Sequence, residues 1–240
     1  MVLSVDEGQG GIIKFIAMAV LQLYSSLQQL PLFQGMSSSD LTNVIAHTKF
    51  GFIKVAKDKM AIKEGEICTN LVFLLNGTLK VESVSDDHSY KITEILDAPS
   101  ILQPERLFGL NQRYTRTFIA ETDVNFMMLD KSEAMKLTND FIIFKLNLLN
   151  ILSTQTQKIT HISFRKCPAD IRQRIIRFIE DRCMRPAGEK EILIHMESLA
   201  EEINESRLNV SKVLNSLNDE KLIELHRGGI FIPALEKLLM

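Results

Sequence analysis

The sequence predicts an α+β chain in three successive parts: a β-rich N-terminal domain, one long helix, and a C-terminal domain of short helices closed by a hairpin. Three observations predict it. From Phe50 onward, short Val, Ile, Phe and Leu runs punctuated by Gly and Asp succeed one another at the spacing of a small antiparallel barrel or sandwich. At Asp130 the apolar period changes from two to about 3.6 and holds to about Ile162. Beyond Cys167-Pro168, two short helical segments with a brief turn between them precede a Gly228-Gly229 turn.

Taken in order, Met18 to Leu30 is helix-like until Pro31 breaks it, and Met36-Ser-Ser-Ser-Asp40 offers caps for a helix to about Lys49. Strands are expected at Phe52–Val55, Met60–Ile62, Leu71–Leu75, Thr78–Ser83, Tyr90–Leu96, Arg116–Ala120 and Asn125–Leu129. Gly65 and Gly77 fall between runs, where a tight turn needs positive φ. Asp130 or Ser132 can cap a long helix with two apolar faces. One holds Leu137, Phe141, Phe144, Leu148, Ile151 and Leu152, and the other Ile142, Leu146 and Leu149. The first face suits the parent β domain and the second a copy of itself; the alternative is one broad core face within a monomer. Pro168 forces a joint. Next come a helix at Ala169–Met184, a strand at Glu191–Ile194, helices at Glu197–Asn204 and Ser206–Asp219, and a hairpin of Leu222–Arg227 with Ile230–Pro233. The expected domains are therefore 18–129, 130–163 and 168–240.

Composition narrows the function. Hydrophobic residues make up 45% and charged residues 24% of 240, an ordinary globular balance long enough for two modest cores. A net charge of -2 argues against coating nucleic acid by bulk charge and leaves room for one local basic face. Cys68, Cys167 and Cys183 are too scattered for a disulfide framework or a metal cluster, and read as reduced thiols packed as small apolar groups. Ile12 to Tyr24 is too short to span a bilayer and contains Lys14, while Asp6 and Glu7 before it are wrong for a secretory leader. The chain reads as cytoplasmic, without a membrane partner. Residues 1–17 differ in texture from the rest of the chain, so Met18 is a candidate start. No catalytic triad, carboxylate pair, P-loop or metal signature occurs, and the chain is not expected to be an enzyme.

The segment Leu199 to Leu217 carries the chemistry. Leu199, Ala200 and Ile203 can face inward on one helix and Val210, Val213, Leu214 and Leu217 on the next, with Ser206 as its cap. The opposite face offers Arg207, Asn209, Ser211, Lys212 and Asn215, side chains that read base edges and grip phosphates. No acidic residue occurs from Ser206 through Asn218, whereas Glu197, Glu201, Glu202 and Glu205 sit on and beside the preceding helix. The hairpin would be a wing with His226 and Arg227 at its tip. Double-stranded DNA is the expected partner.

These parts, in this order, resemble the catabolite-activator/fumarate–nitrate-regulator (CRP/FNR) family from about Leu23 to the end. Leu30-Pro-Leu-Phe33, Ser39–Leu41, Ile62-Lys-Glu-Gly-Glu66 and the run Leu71 to Val81 are similar to its jelly-roll, a cyclic-nucleotide-binding-like domain. The Ser206-Arg207 start and the Val210–Leu217 core resemble its recognition helix. The resemblance implies a homodimer paired along the long helix near Phe141–Ile162. It further implies a hinge near Ser163–Pro168, a near-palindromic operator, contact with RNA polymerase, and Arg207, Leu208 and Lys212 as the groove-facing set. Relatives often carry an acid that reads cytosine where this chain has Leu208, so a different operator is expected.

The sensing site departs from the family. A Gly-Glu turn and an Arg-Ser or Arg-Thr pair hold the cyclic nucleotide there. This chain reads Leu102-Gln-Pro-Glu-Arg106 and Arg113-Tyr-Thr-Arg-Thr117 instead, with Tyr114 at the phosphate-arginine position and Thr115 beside it. The preferred reading is that Tyr114 is packing and that Arg113 and Arg116 are solvated loop charges. In the alternative, Arg113 or Arg116 takes an anion and Glu105 takes a ribose hydroxyl. cAMP bound in the family manner is not expected. Neither is an iron–sulfur cluster, for want of clustered cysteines, nor haem, since His88 lies in a loop. Against the regulator stands one other reading, a ligand-binding or protein-interaction module whose helix-turn-helix is vestigial.

Overall fold

The computed structural model describes residues 21–240; Met18 and the segment before it lie outside the described residues. Helix α1 (21–29) ends at the turn before Pro31, and α2 (Ser38–His47) begins on Ser37, whose hydroxyl accepts from the Asp40 amide.

Eight strands build the roll, all pairings antiparallel. β1 (Gly51–Val55), β3 (Asn70–Asn76), β6 (Ser100–Leu102) and β8 (Val124–Asp130) form one sheet in the order β1-β8-β3-β6. β2 (Met60–Ile62), β4 (Thr78–Val84), β5 (Tyr90–Asp97) and β7 (Thr117–Ala120) form the other. Alternate apolar residues of both sheets, among them Leu71, Phe73, Leu79, Val81, Phe118 and Met127, fill the space between. Phe33, after α1, packs its ring at a tilt against Phe73 of β3 and Phe144, all within that core. Gly77 turns β3 into β4 at φ +85, and a Cβ there would lie 2.5 Å from the Asp123 carbonyl oxygen. Strand β6 was not expected from the sequence; three residues carry too little alternation to register.

The expected single long helix is two. α3 (Lys131–Asp140), capped by Asp130, ends at Phe141, whose extended backbone also starts α4 (Ile142–Phe164). Asn139-Asp140 competes poorly for helix. The break lets Ala134 and Leu137 of α3, and then Phe144 and Leu148 of α4, all reach the roll core. The second apolar face, Ile142, Leu146 and Leu149, stays exposed in the monomer, with Ile159 and Phe164 farther along.

The C-terminal domain has its own core around Ile175, Ile179, Leu199, Val210, Leu214 and Ile232. Its elements are α5 (Ile171–Arg182), β9 (Lys190–Ile194), α6 (Met196–Glu202), α7 (Arg207–Asp219), β10 (Glu224–His226), β11 (Gly229–Ile232) and a short α8 (Leu235–Leu238). β9 does more than back the hairpin: it pairs with β5 of the roll, so one seven-stranded sheet, β10-β11-β9-β5-β4-β7-β2, runs through both domains. In that register Glu94 faces Lys190, and their side chains form a 3.0 Å ion pair with each 1–2% exposed. Among the described residues no helix is long and apolar enough to cross a membrane.

Candidate functional site

Two places concentrate polar side chains on a rigid support. The first is the bihelical unit of α6 and α7. Leu199 and Ala200 of α6, Ile203, and Val210, Leu214 and Leu217 of α7 are buried against one another, which fixes the crossing of the two helices. The turn between them is made by Asn204 at φ +52, and the Ser206 hydroxyl accepts from the Asn209 amide to start α7.

α5 holds this unit from behind with three arginines. Arg174 donates to the Ile203 and Asn204 carbonyls and at 2.7 Å to the Glu205 carboxylate. Arg172 makes a bidentate pair with Glu220 at the far end of α7 (2.6 and 2.8 Å), and Arg182 pairs with Glu202 at 2.6 Å. The Glu205 carboxyl is held below its ordinary range, first by the Asn209 amide and then by Arg174 and the Ser206 N–H. Sequence reasoning missed these arginines. Their partners lie tens of residues away, and helical spacing pairs only neighbours.

With α7 so fixed, Ser206, Arg207, Leu208, Lys212 and Asn215 are exposed on its outer face, and Ser211 is half-buried beside them. Asn209 is turned back, its amide donating to Glu205. Arg207 is 3.1 Å from Glu197, but both are more than 60% exposed, so water screens the pair and leaves the guanidinium free to exchange partners. Arg227 is exposed in the turn between β10 and β11, beside the exposed His226.

The second place is a cavity of about 610 Å³ between the β5–β6 side of the roll, α4 and the end of α5. Glu105, Thr115 and Arg116 line it; Arg113 and Tyr114 do not. Arg113 reaches outward to the Gly65 carbonyl at 2.6 Å. Tyr114 is 5% exposed, edge-on to Phe118, and burial pushes its hydroxyl pKa up. Arg116 is not the solvated charge expected: burial holds its pKa down, and it donates to the Ser83 hydroxyl at 3.0 Å.

Gln103, in the left-handed region at φ +39, shapes the turn that lacks its glycine. Its side chain donates to Thr115 Oγ1 at 2.7 Å and accepts from the Thr115 amide at 3.1 Å, which offsets the backbone strain. A cyclic phosphate held as in the family would need a turn amide that Pro104 lacks and an arginine where Tyr114 packs, so the residues do not fit that mode. Among the described residues, three buried polar atoms at the cavity have no hydrogen-bond partner: Glu105 Oε2, Arg106 Nε and Gln155 Oε1. Cys68 and Cys183 are buried as expected, whereas Cys167 is exposed in the joint after α4. Among the described residues no three His, Cys, Asp or Glu side chains gather as a metal site.

Residues 52–141 match the model of the cyclic nucleotide-binding domain, and residues 173–240 match that of the Crp-like helix-turn-helix domain. No curated protein matches the sequence. Among solved structures, the catabolite activator protein of Thermus thermophilus is similar at 17% identity and a TM-score of 0.49, over 87% of this chain and 96% of that one. A protein of Eubacterium rectale described as a transcriptional regulator of the Crp/Fnr family is similar at 18% identity and 0.48, over 88% and 97%. The sensor domain of the transcriptional regulator DNR of Pseudomonas aeruginosa is similar at 18% and 0.48, over 61% and 95%.

Proposed function

We propose, from the premise that this chain belongs to the CRP/FNR family of DNA-binding transcription regulators, that it acts as a homodimer on a near-palindromic operator under control of a small effector. Two chains pair along α4 and set their α7 helices about one DNA turn apart in successive major grooves. Arg207 and Lys212 contact bases and phosphates, Ser206, Ser211 and Asn215 add polar contacts, and Arg227 of the wing grips the backbone. Asn209 serves by bracing the Glu205 turn. Leu208 cannot accept a hydrogen bond and packs on a thymine methyl.

The observation that carries this reading is α7 itself: one face buried at Val210, Leu214 and Leu217, the other exposed, cationic and free of acids from Ser206 through Asn218. The effector enters the cavity beside Glu105, Thr115 and Arg116 and is not a cyclic nucleotide in the family pose. It shifts the population of domain orientations about the joint at 165–170. The bound dimer meets RNA polymerase or blocks it, in the cytoplasm, and performs no catalysis.

In vitro selection from random duplex DNA with purified protein tests this. An enriched two-fold-symmetric site is expected, and Arg207→Ala should weaken binding to it by about tenfold or more, the worth of one good base contact. No enrichment, with or without cell extract, would favour an interaction module with a vestigial helix-turn-helix. An operator affinity indifferent to Arg207→Ala would remove α7 as the reader.

A further inference from the structure

The walls of the cavity come from three parts of the chain, and each part contributes a cation that forms no ion pair among the described residues. Arg116, from the roll, donates to the neutral Ser83 hydroxyl and feels the Glu94 and Glu105 carboxylates only across a distance, pairing with neither. Lys158, from α4, donates to the carbonyls of Cys183 (3.0 Å) and Met184 (3.4 Å). Arg185, just beyond α5 in the C-terminal domain, donates to the Ser100 hydroxyl at 3.1 Å. Among the described residues none of the three forms an ion pair. The other charges on the cavity are matched: Arg106 lies 3.8 Å from Glu105, Arg182 2.6 Å from Glu202, and Asp181 2.9 Å from Arg165.

Cations without an ion-pair partner around a partly buried space lose hydration, a cost that an anion between them removes. The Cys183 thiol, pushed up to about 12 mainly by burial and then by Glu94, also feels Lys190, Lys158 and Arg116, which places the last two cations in one neighbourhood with the Glu94–Lys190 pair. Glu105 Oε2 and Gln155 Oε1 add two acceptors in want of donors. The volume, about 610 Å³, is that of a small-metabolite site.

We infer that this cavity is a two-domain site for a small polyanion bearing hydroxyl or amide donors, a phosphate ester or a di- or tricarboxylate, held by Arg116, Lys158 and Arg185 together. The inference rests on reading the cavity as the effector site and adds the ligand class and the second domain. Arg185 reaches the cavity only while its domain is docked, with the Met184 and Arg185 amides on the Glu94 carboxylate (2.8 and 3.3 Å) and β9 on β5. A ligand that needs all three cations therefore favours the docked arrangement, which is how occupancy is conveyed to the reading helix.

Calorimetric titration of the full chain at constant ionic strength tests this, with citrate and pyrophosphate as probes for the two sources of charge and glycerol as the neutral control. Saturable binding of at least one polyanion at millimolar concentration or below is expected, with none of glycerol. Arg116→Gln, Lys158→Gln and Arg185→Gln should each weaken it about tenfold, the worth of one charge-assisted hydrogen bond. Lys54→Gln, a cation on β1 away from the cavity, should leave it unchanged. Amide exchange across Lys190–Ile194 should slow on binding. No saturable binding by wild type overturns the site. Binding that depends on Arg116 alone, with Arg185→Gln and β9 exchange unaffected, overturns the two-domain grip while leaving an effector pocket within the roll. DNA binding is read separately, so failure here is distinct from failure of the regulator reading.

Discussion

Single residues set the chemistry of the reading face and the integrity of its turn. Leu208, 65% exposed beside Arg207, offers a groove only apolar surface. Leu208→Glu is expected to move the preferred base at one position of each half-site towards cytosine in repeated selection; an unchanged preference would take Leu208 out of the groove. Glu205 supplies a pH dependence. Its folded pKa is depressed, so the bridge to Arg174 and Asn209 stabilises fully above the ordinary carboxyl value of 4.5 and is lost as pH falls through the lower folded value. Glu205→Gln should flatten the acid limb of the thermal-stability profile below pH 4.5 and leave neutral pH less affected. Gly77 shows the steric limit: at φ +85, with a carbonyl 2.5 Å from where Cβ would stand, Gly77→Ala should cost about 1–3 kcal/mol in thermal unfolding. The reading face was legible in the sequence because cap, apolar spacing and absence of acids coincide in one short stretch. Arg174 was not, because its carbonyl and carboxylate partners come together only after α5 packs behind the turn.

At the scale of elements, helices and strands answer to what they pack on. A continuous helical period runs through Asp140–Phe141, yet the chain breaks there because α3 and α4 each bring apolar residues to the roll core. β9 was legible as a strand, but its partner was not: alternation says which face is apolar, never which edge is free. Its pairing with β5 is fastened by the buried Glu94–Lys190 pair. Lys190→Met would leave that carboxylate buried without its cation, a penalty on the order of 3–5 kcal/mol. The cheaper response is for the domains to part. Hydrogen exchange across Tyr90–Asp97 and Lys190–Ile194 should accelerate while both cores stay protected, and Glu94→Gln, which removes the charge but keeps an acceptor for the Met184 and Arg185 amides, should restore much of the protection when added to Lys190→Met. Exchange unchanged in the single variant would mean that the strand pairing does not depend on this pair.

For the whole molecule, the exposed apolar face of α4 is the feature a monomer leaves unexplained. Ile142 and Leu149 are 60% and 52% exposed, and Leu146 lies between them in sequence at 46%. Such a continuous stripe on a helix calls for cover. Pairing of two copies, as proposed, would supply it and relate their α7 helices by a two-fold axis. Sedimentation should find a dimer at micromolar concentration and a monomer for Leu146→Glu, with the two-fold-symmetric site lost from selection; a monomeric wild type would overturn the pairing.

Sequence alone determined what is local: strand and helix periods, the caps at Asp130 and Ser206, the glycine turn at Gly77, and the cationic face of α7. Each depends on neighbours within a few residues, which is the range over which periodicity and capping act. Tertiary structure alone decided that Arg116 is half-buried while Arg113 is exposed, that three arginines of α5 brace the α6–α7 unit, and that β9 joins the two domains beside a shared cavity. Those facts depend on which surfaces meet across long chain separations. Burial and charge pairing, which fix them, are properties of the assembled fold.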